Sequence, residues 1–383
     1  MGLSALPALC AALLLAPISA AVTNYSVVVV ERNAIPSGAS LISHLNGTSA
    51  FNYSFTTAWF QPPPGSPSPD GLIVRNVECN PNHHSCAGVA HPEWTNAGAL
   101  AVVGASLGGA APPAAQTVTV DAVTWAGAPA PPHGGTAGLW GAADPRMARR
   151  AATGEYYLTW DNCTQSCYPH RTTMLSTTLD PFNASAWTFH GPLLGPRSPY
   201  TAGAALLLRD APPHYAYVSD SDTANAINLA TSSDGLTWTL ATTSANPWMK
   251  GRPGMWDAPG VAAGPQVERL STGDYLLLYN IDTGFPLKPG PLGRCSVGWA
   301  VLSGADPSIV LARAPQPLLT PVLPWETCGG EGGKGPWPHC QEPEVVFSTG
   351  MKPLGGDEFL VIYGAADSVV GTARVAVSFA QAE

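Results

Sequence analysis

Apolar positions along this chain come in short runs, rich in β-branched and aromatic residues and broken by Gly, Pro, Ser and Asp. Such runs favour strands over helices. Gly71–Arg75, Tyr156–Trp160, Thr172–Thr178, His214–Asp220, Gly273–Asn280 and Asp357–Asp367 are of this kind. They group into similar units: an apolar strand, a turn, a second strand with an aromatic near its end, then a third strand. Ser233-Asp234-Gly235 adds a hairpin turn into a fourth strand within Ile227–Leu240. Units begin near Asn52, Asp144, Ala202, Asp257 and Glu344, which makes five. A repeat of four-stranded units predicts propeller blades. The expected fold class is therefore all-β, a five-bladed β-propeller, with an irregular β-sandwich as the alternative. In a propeller the innermost strands surround the axis. That would bring Asn52, Asp144, Asp257 and Glu344 to one axial pocket despite their separation in sequence.

Composition sharpens this picture. Charged residues are only 11% of the 383, and Gly and Pro number 40 and 39. Both are poor inside helices and common in turns. A hydrophobic share of 45% suffices for a real core. The net charge of −9 argues against nucleic acid and anionic membranes as partners. A neutral, polyhydroxylated ligand is compatible with it.

The first residues carry an apolar run from Leu6 to Pro17, followed by Ser19, Ala20 and Ala21. This reads as a secretory signal peptide over 1–21, leaving 22–383 as one domain in the secretory lumen or outside the cell. No other stretch is long and apolar enough to cross a bilayer, so no membrane partner is expected after signal removal. N-x-S/T sequons stand at Asn24, Asn46, Asn52, Asn162 and Asn183. Cys79 with Cys86, Cys163 with Cys167, and Cys328 with Cys340 close short loops and read as disulfides. Cys295, in an apolar strand, reads as a buried thiol. A zinc site at Cys79, His83, His84 and Cys86 is the competing reading, but the spacing fits no common zinc pattern. No metal or cofactor is expected.

The stretch Gly141–Asn162 holds the first candidate chemistry. Asp144 precedes Pro145, which favours extended backbone at Asp144. Arg146, two residues on, points to the same face of a strand. A turn then leads to a second strand ending in Trp160-Asp161. The functional reading is a carboxyl group held in a cleft beside a guanidinium. The plain one is a turn Asp paired with a surface Arg.

Read in order, GAADPRMARRAATGEYYLTW, SSDGLTW, WDAPGVAAGPQVERLSTGDYLLLYN, DPSIVLARAPQPLLTPVLPWE and the segment EPEVVFSTG to YGAAD resemble glycoside hydrolase family 130. That family comprises β-mannoside phosphorylases and mannosidases built on a five-bladed propeller. The likeness runs from about Asn52 to Val377. It implies Asp144 as the single proton donor, passing its proton through a sugar hydroxyl in the phosphorylases. It implies Asn52, Arg75 and Asp367 as sugar ligands; Arg146 and Asp161, beside Asp144 in the stretch above, are further expected substrate-binding residues. Carboxylates suit vicinal hydroxyls because each accepts bidentate hydrogen bonds. Asn52 heads a sequon and can bind substrate only if unmodified.

The departures from the family also speak. The phosphorylases' Lys and His-Arg of the third blade are absent from Ala202–Asp220, and their Tyr-His-Gly is Tyr279-Asn280-Ile281 here. A phosphate dianion needs several cationic donors, so water is the expected nucleophile. Inverting hydrolysis needs a second carboxylate. Glu344 replaces the family's Asn at the head of an innermost strand and is the first candidate base; Asp257 is the second. The plain readings are a Glu344–Arg146 salt bridge and a turn role for Asp257. Trp140, Trp160, Trp256 and Trp325 would stack on sugar or pack the blades. The expectation is a secreted glycosidase acting on β-linked mannosides. A non-catalytic glycan-binding propeller, and a surface interaction protein without sugar affinity, are the alternatives.

Overall fold

The computed structural model describes residues 22–33, 53–66, 68–77, 98–105, 107, 142–162, 171–196, 201–220, 226–281, 295–327, 344–366 and 369–381. They form five antiparallel sheets. Strand β1 (Val22–Asn33) is set aside for the moment. The first sheet holds β2 (Tyr53–Phe60), β3 (Asp70–Val77) and β4 (Gly98–Ala105). The second holds β5 (Ala142–Arg149), β6 (Tyr156–Asn162), β7 (Thr172–Thr178) and β8 (Thr188–Pro192). The third holds β9 (Thr201–Leu207), β10 (His214–Asp220), β11 (Ala226–Ser232) and β12 (Thr239–Leu240).

In the fourth sheet β13 (Ala262–Ala263) and β14 (Glu268–Arg269) both pair with β15 (Tyr275–Asn280). β16 (Val297–Leu302) and β17 (Val310–Arg313) follow. The fifth runs β18 (Val346–Gly355), β19 (Glu358–Ala365) and β20 (Val369–Gln381), and its outermost strand is β1. The start of the described chain therefore completes the last sheet, with Tyr25 opposite Phe379 and Val27 opposite Val377. The sequence reading assigned no strand to 22–33.

The arrangement is propeller-like. Strand β2 touches β5, β5 touches β9, β9 touches β13, and β18 touches both β15 and β2. Between neighbouring sheets lie five apolar layers. Ile73 and Phe60 meet Met147 and Leu158. Tyr157 and Leu175 meet Leu206 and Val218. Tyr217 and Ile227 meet Leu277 and Tyr279. Leu278 and Val297 meet Val346 and Val361. Leu72 and Val74 meet Ile362 and Val370. Each sheet is covered on both faces, which is why its strands read as continuous apolar runs rather than alternating ones. At about 0.8 kcal/mol per buried methylene, these layers are the main source of stability.

Among the described residues no helix is long and apolar enough to cross a membrane. All six cysteines of the expected disulfides lie outside the described residues, as do His83 and His84. Cys295 is buried.

Candidate active site

The site is built on two irregular first strands. In β5, Ala143 faces Asp161 and Arg146 faces Thr159, so Asp144 and Pro145 together oppose Trp160 alone. This is a β-bulge, and Pro145, which has no N–H to give to a ladder, is tolerated there. Asp144 takes φ +46°, not the extended backbone expected before proline. A positive φ on a non-glycine residue costs on the order of 1–3 kcal/mol and recurs where function requires it. Strand β2 bulges at the neighbouring place: Thr56 is the extra residue between Phe55 and Thr57, with φ +34°. The two bulges face each other.

The Asp144 carboxylate is the meeting point. Thr56 Oγ1 donates to its Oδ1 at 3.2 Å, and Arg75 donates to the same oxygen at 3.1 Å. A guanidinium nitrogen of Arg171 lies 3.5 Å from Oδ2. Asp144 is 7% exposed, so the residue is buried but not wholly enclosed. Burial pushes its pKa up, but the charges of Arg75, Arg171 and Arg146 and the Thr56 hydrogen bond outweigh it and hold the group below the ordinary carboxylate range.

Arg146 is not a sugar ligand in this arrangement. Its side chain is fully buried. It donates to the carbonyl oxygens of Gly264 at 2.8 Å, Ala263 at 2.9 Å and Asp144 itself at 2.8 Å. The guanidinium thus ties the second sheet to the first strand of the fourth. It also lies 5.8 Å from the ring centre of Phe347 in the fifth sheet. Gly203 makes room for it: a Cβ there would fall 2.1 Å from an Arg146 nitrogen. The guanidiniums that face the Asp144 carboxyl group belong to Arg75 and Arg171. The sequence spacing suggested Arg146 for that place.

Asp161 is also enclosed, with no exposed surface. Thr173 donates to its Oδ1 at 3.2 Å, while Oδ2 has no hydrogen-bond partner. Burial raises its pKa to about 6, with Arg146 pulling it down and Asp144 pushing it further up. A sugar cannot reach it, so its influence on the site is electrostatic.

Asp257 is corrected as a candidate base. Its carboxylate is buried and saturated by Arg252 at 2.9–3.1 Å, Arg313 at 2.6 Å and the Tyr279 hydroxyl at 3.0 Å. Burial pushes its pKa up, but the Arg252 hydrogen bond and the two cationic charges bring it below the ordinary value. Such a group neither receives a water nor takes its proton.

Glu344 stands at the head of β18 with φ +66°, half-buried. Its backbone N–H donates to the carbonyl of Glu326 at 2.9 Å, and its carbonyl accepts from Cys295 at 3.3 Å. Among the described residues there is no ion pair between Glu344 and Arg146, whose nitrogens are committed to carbonyls. Phe347, three residues on, is the residue that meets Arg146. Asn52, Asp367 and Trp140 lie outside the described residues. The other tryptophans named above pack within the protein: Trp160 near Phe189, Trp256 on Tyr279, Trp325 on Tyr363. Thr56 and Arg171 had no signal in the sequence, because neither lies in a motif with Asp144.

A sequence-family model for glycoside hydrolase family 130, described as β-1,4-mannooligosaccharide phosphorylase, matches residues 133–379. Two curated relatives come from Thermoanaerobacter sp. (strain X514). A β-1,2-mannobiose phosphorylase is 32% identical over 121 residues, 31% of this chain and 33% of the relative. A 1,2-β-oligomannan phosphorylase is 31% identical over 127 residues, 33% of this chain and 36% of the relative. The chain thus spans no more than 36% of the length of these curated relatives. Among solved structures, the β-1,2-mannobiose phosphorylase of Listeria innocua aligns with a TM-score of 0.61 at 15% identity, over 91% of this chain and 96% of the other. A structure described with glycoside hydrolases that target β-1,2 mannosidic linkages in Candida mannan aligns at 0.59 and 18% identity, over 85% of each chain. At these identities the structures share the fold with this chain.

Proposed function

The chain belongs to glycoside hydrolase family 130, and from that premise we propose that it hydrolyses β-mannosidic bonds, with Asp144 as the proton donor. The observation that carries this reading is the Asp144 carboxylate. It sits on a strained bulge, is held by Thr56 and Arg75, and is buried but not wholly enclosed. In the free protein the surrounding guanidiniums keep it ionised. A sugar laid over it would remove its remaining solvent and deepen the burial that raises its pKa. Protonation is then coupled to substrate binding, and the carboxyl carries its proton when it is needed.

Water as nucleophile requires a base on the far side of the sugar. Glu344 is our choice: it is half-buried, heads a first strand, and precedes by three residues the Phe347 that meets Arg146. We also read the five sheets as five blades of one ring, closed by β1. We read the chain as secreted after loss of residues 1–21.

Phosphorolysis is the second reading. It is favoured by Arg75 and Arg171, two guanidiniums at one carboxylate, and by the phosphorylase activity named for both curated relatives. Against it stands Asn280, at the position of the family phosphorylases' His. It is buried and hydrogen-bonded to Ser348 and Ala263, and so is not offered to a ligand.

One experiment separates these readings. The purified chain is incubated with β-1,2- and β-1,4-mannobiose, with and without inorganic phosphate, and products are separated by chromatography. Mannose in both conditions is expected. Mannose 1-phosphate formed only with phosphate would replace hydrolysis by phosphorolysis. Binding of either disaccharide without any product would leave a glycan-binding module.

A further inference from the structure

Three of the five sequons have their asparagine among the described residues, and the structure separates them. We propose that the secreted chain carries N-linked glycans at Asn24 and Asn183, and none at Asn162. The inference rests on the secretory part of the reading above, and not on its catalytic part.

A glycan is added as the chain enters the secretory compartment, so folding must afterwards leave the modified amide outside. Asn183 meets that condition. It lies in the turn between β7 and β8, the outermost strand of the second sheet, and is exposed. Its Oδ1 accepts from Ser185 N at 3.1 Å and from Ser185 Oγ at 2.8 Å. The carbonyl end of the amide is therefore turned into the chain, which leaves Nδ2 as its outward end. Thr188, Phe189 and His190, next along the rim, are exposed as well.

Asn24 meets it too. It is exposed on β1, the outermost strand of the fifth sheet, on the same face as Ser26 of its sequon. Tyr25 and Val27 point the other way and are buried. A glycan at either position would sit on the outer rim, away from Asp144. Asn162 differs. It ends β6, an inner strand flanked by Ala142 on one side and Thr172 on the other. It is half-buried and next in sequence to the enclosed Asp161. A glycan there would stand over the strand ends that hold Asp144.

The chemistry is a transfer from a polyprenyl-pyrophosphate-linked oligosaccharide. The bond from the sugar's anomeric carbon to the pyrophosphate oxygen breaks, and one from that carbon to Asn Nδ2 forms. The amide loses one proton, and polyprenyl pyrophosphate leaves.

The test is secretion of the full chain from a eukaryotic host, followed by peptide mass spectrometry after enzymatic glycan release in ¹⁸O-labelled water. Labelled Asp is expected at positions 24 and 183, and unmodified Asn at 162. Asn183→Asp keeps the turn's acceptor oxygen but has no amide nitrogen. It is expected to remove one glycan from the intact mass without lowering the melting temperature. Ser185→Thr is expected to retain that glycan. A secreted chain with unmodified Asn183 or Asn24, or with a glycan at Asn162, overturns the inference and leaves secretion standing. A chain retained in the cytosol without any glycan overturns both.

Discussion

Asp257 and Glu326 hold the same place in consecutive sheets. Asp257 accepts from the Tyr279 hydroxyl at 3.0 Å, and Glu326 from the Tyr363 hydroxyl at 2.7 Å. The residue before each acid is a tryptophan stacked on that tyrosine: Trp256 on Tyr279 at 6.0 Å and 22°, Trp325 on Tyr363 at 5.9 Å and 23°. An arginine from each outermost strand completes the group, Arg313 at 2.6 Å and Arg32 at 3.5 Å. A glycine admits each pair of rings. A Cβ at Gly298 would lie 2.6 Å from Trp256 and Tyr279 carbons, and one at Gly371 would lie 2.5 Å from Trp325 and 2.7 Å from Tyr363. The repetition explains why an acid follows tryptophan in both units, and it assigns Asp257 to architecture.

Asp257→Asn should therefore act on stability. Breaking a buried pair leaves two arginines without their counter-charge, at a cost of about 3–5 kcal/mol. Gly298→Ala should cost about 1–3 kcal/mol through overpacking. Chemical denaturation would measure both. Activity per folded molecule, measured on β-mannosides, is expected to stay near that of the unaltered protein.

Asp144→Asn should do the opposite. Loss of a general acid lowers turnover by about 10²–10⁴-fold, while the ring of apolar layers is untouched. Thr56→Val removes a hydroxyl that donates to Oδ1 at 3.2 Å. It should raise the acid's pKa and move the alkaline limb of the pH–rate profile upward. An unchanged profile would show that the bulge of β2 has no part in tuning Asp144.

Asp161 should leave a signature in the pH dependence of stability. Its folded pKa of about 6 lies above the ordinary value of 3.8. The folded state therefore holds its proton more tightly than the unfolded chain. The contribution is fully present below about pH 4 and is lost as pH rises through about 6. Asp161→Asn, which cannot ionise, should flatten this part of the curve and be the more stable protein at pH 7.5, by on the order of 2–3 kcal/mol. Urea unfolding at pH 4.5 and 7.5 on both proteins checks the sign.

Arg146 should tolerate no substitute. Arg146→Met strands carbonyls of Gly264, Ala263 and Asp144, at about 1–3 kcal/mol each where they remain buried. Gly203→Ala meets the same guanidinium and a φ of +89°. Both are expected to lower the melting temperature strongly, as read by differential scanning calorimetry.

Removal of Val22–Asn33 should expose the β20 edge and withdraw Tyr25 and Val27 from the layer they share with Trp299 and Val375. The shortened chain is expected to aggregate on refolding, seen by light scattering, because an exposed edge strand invites pairing.

Much of the secondary structure was written in local pattern. Thr172–Thr178 and His214–Asp220 were legible to the residue, and the Ser233-Asp234-Gly235 turn lies between β11 and β12 as read. These segments are short, apolar and bounded by turn residues, and each is decided within its own span. Strand β1 was not legible, since its partner β20 is the last strand of the chain and no local signal names that partner. The candidate acid was legible, because Asp-Pro-Arg is a contiguous motif. Its surroundings were not. Thr56, on β2, and Arg171, just before β7, meet at Asp144 only when the sheets pack. Arg75 was expected at the site, but as a sugar ligand and not as a partner of the acid. Whether a carboxylate is nearly enclosed like Asp144, sealed like Asp161 or saturated like Asp257 depends on what packs over it. Sequence alone determined which residues carry charge and which segments extend. Tertiary structure decided which charges meet, because those meetings are made across sheets by side chains far apart along the chain.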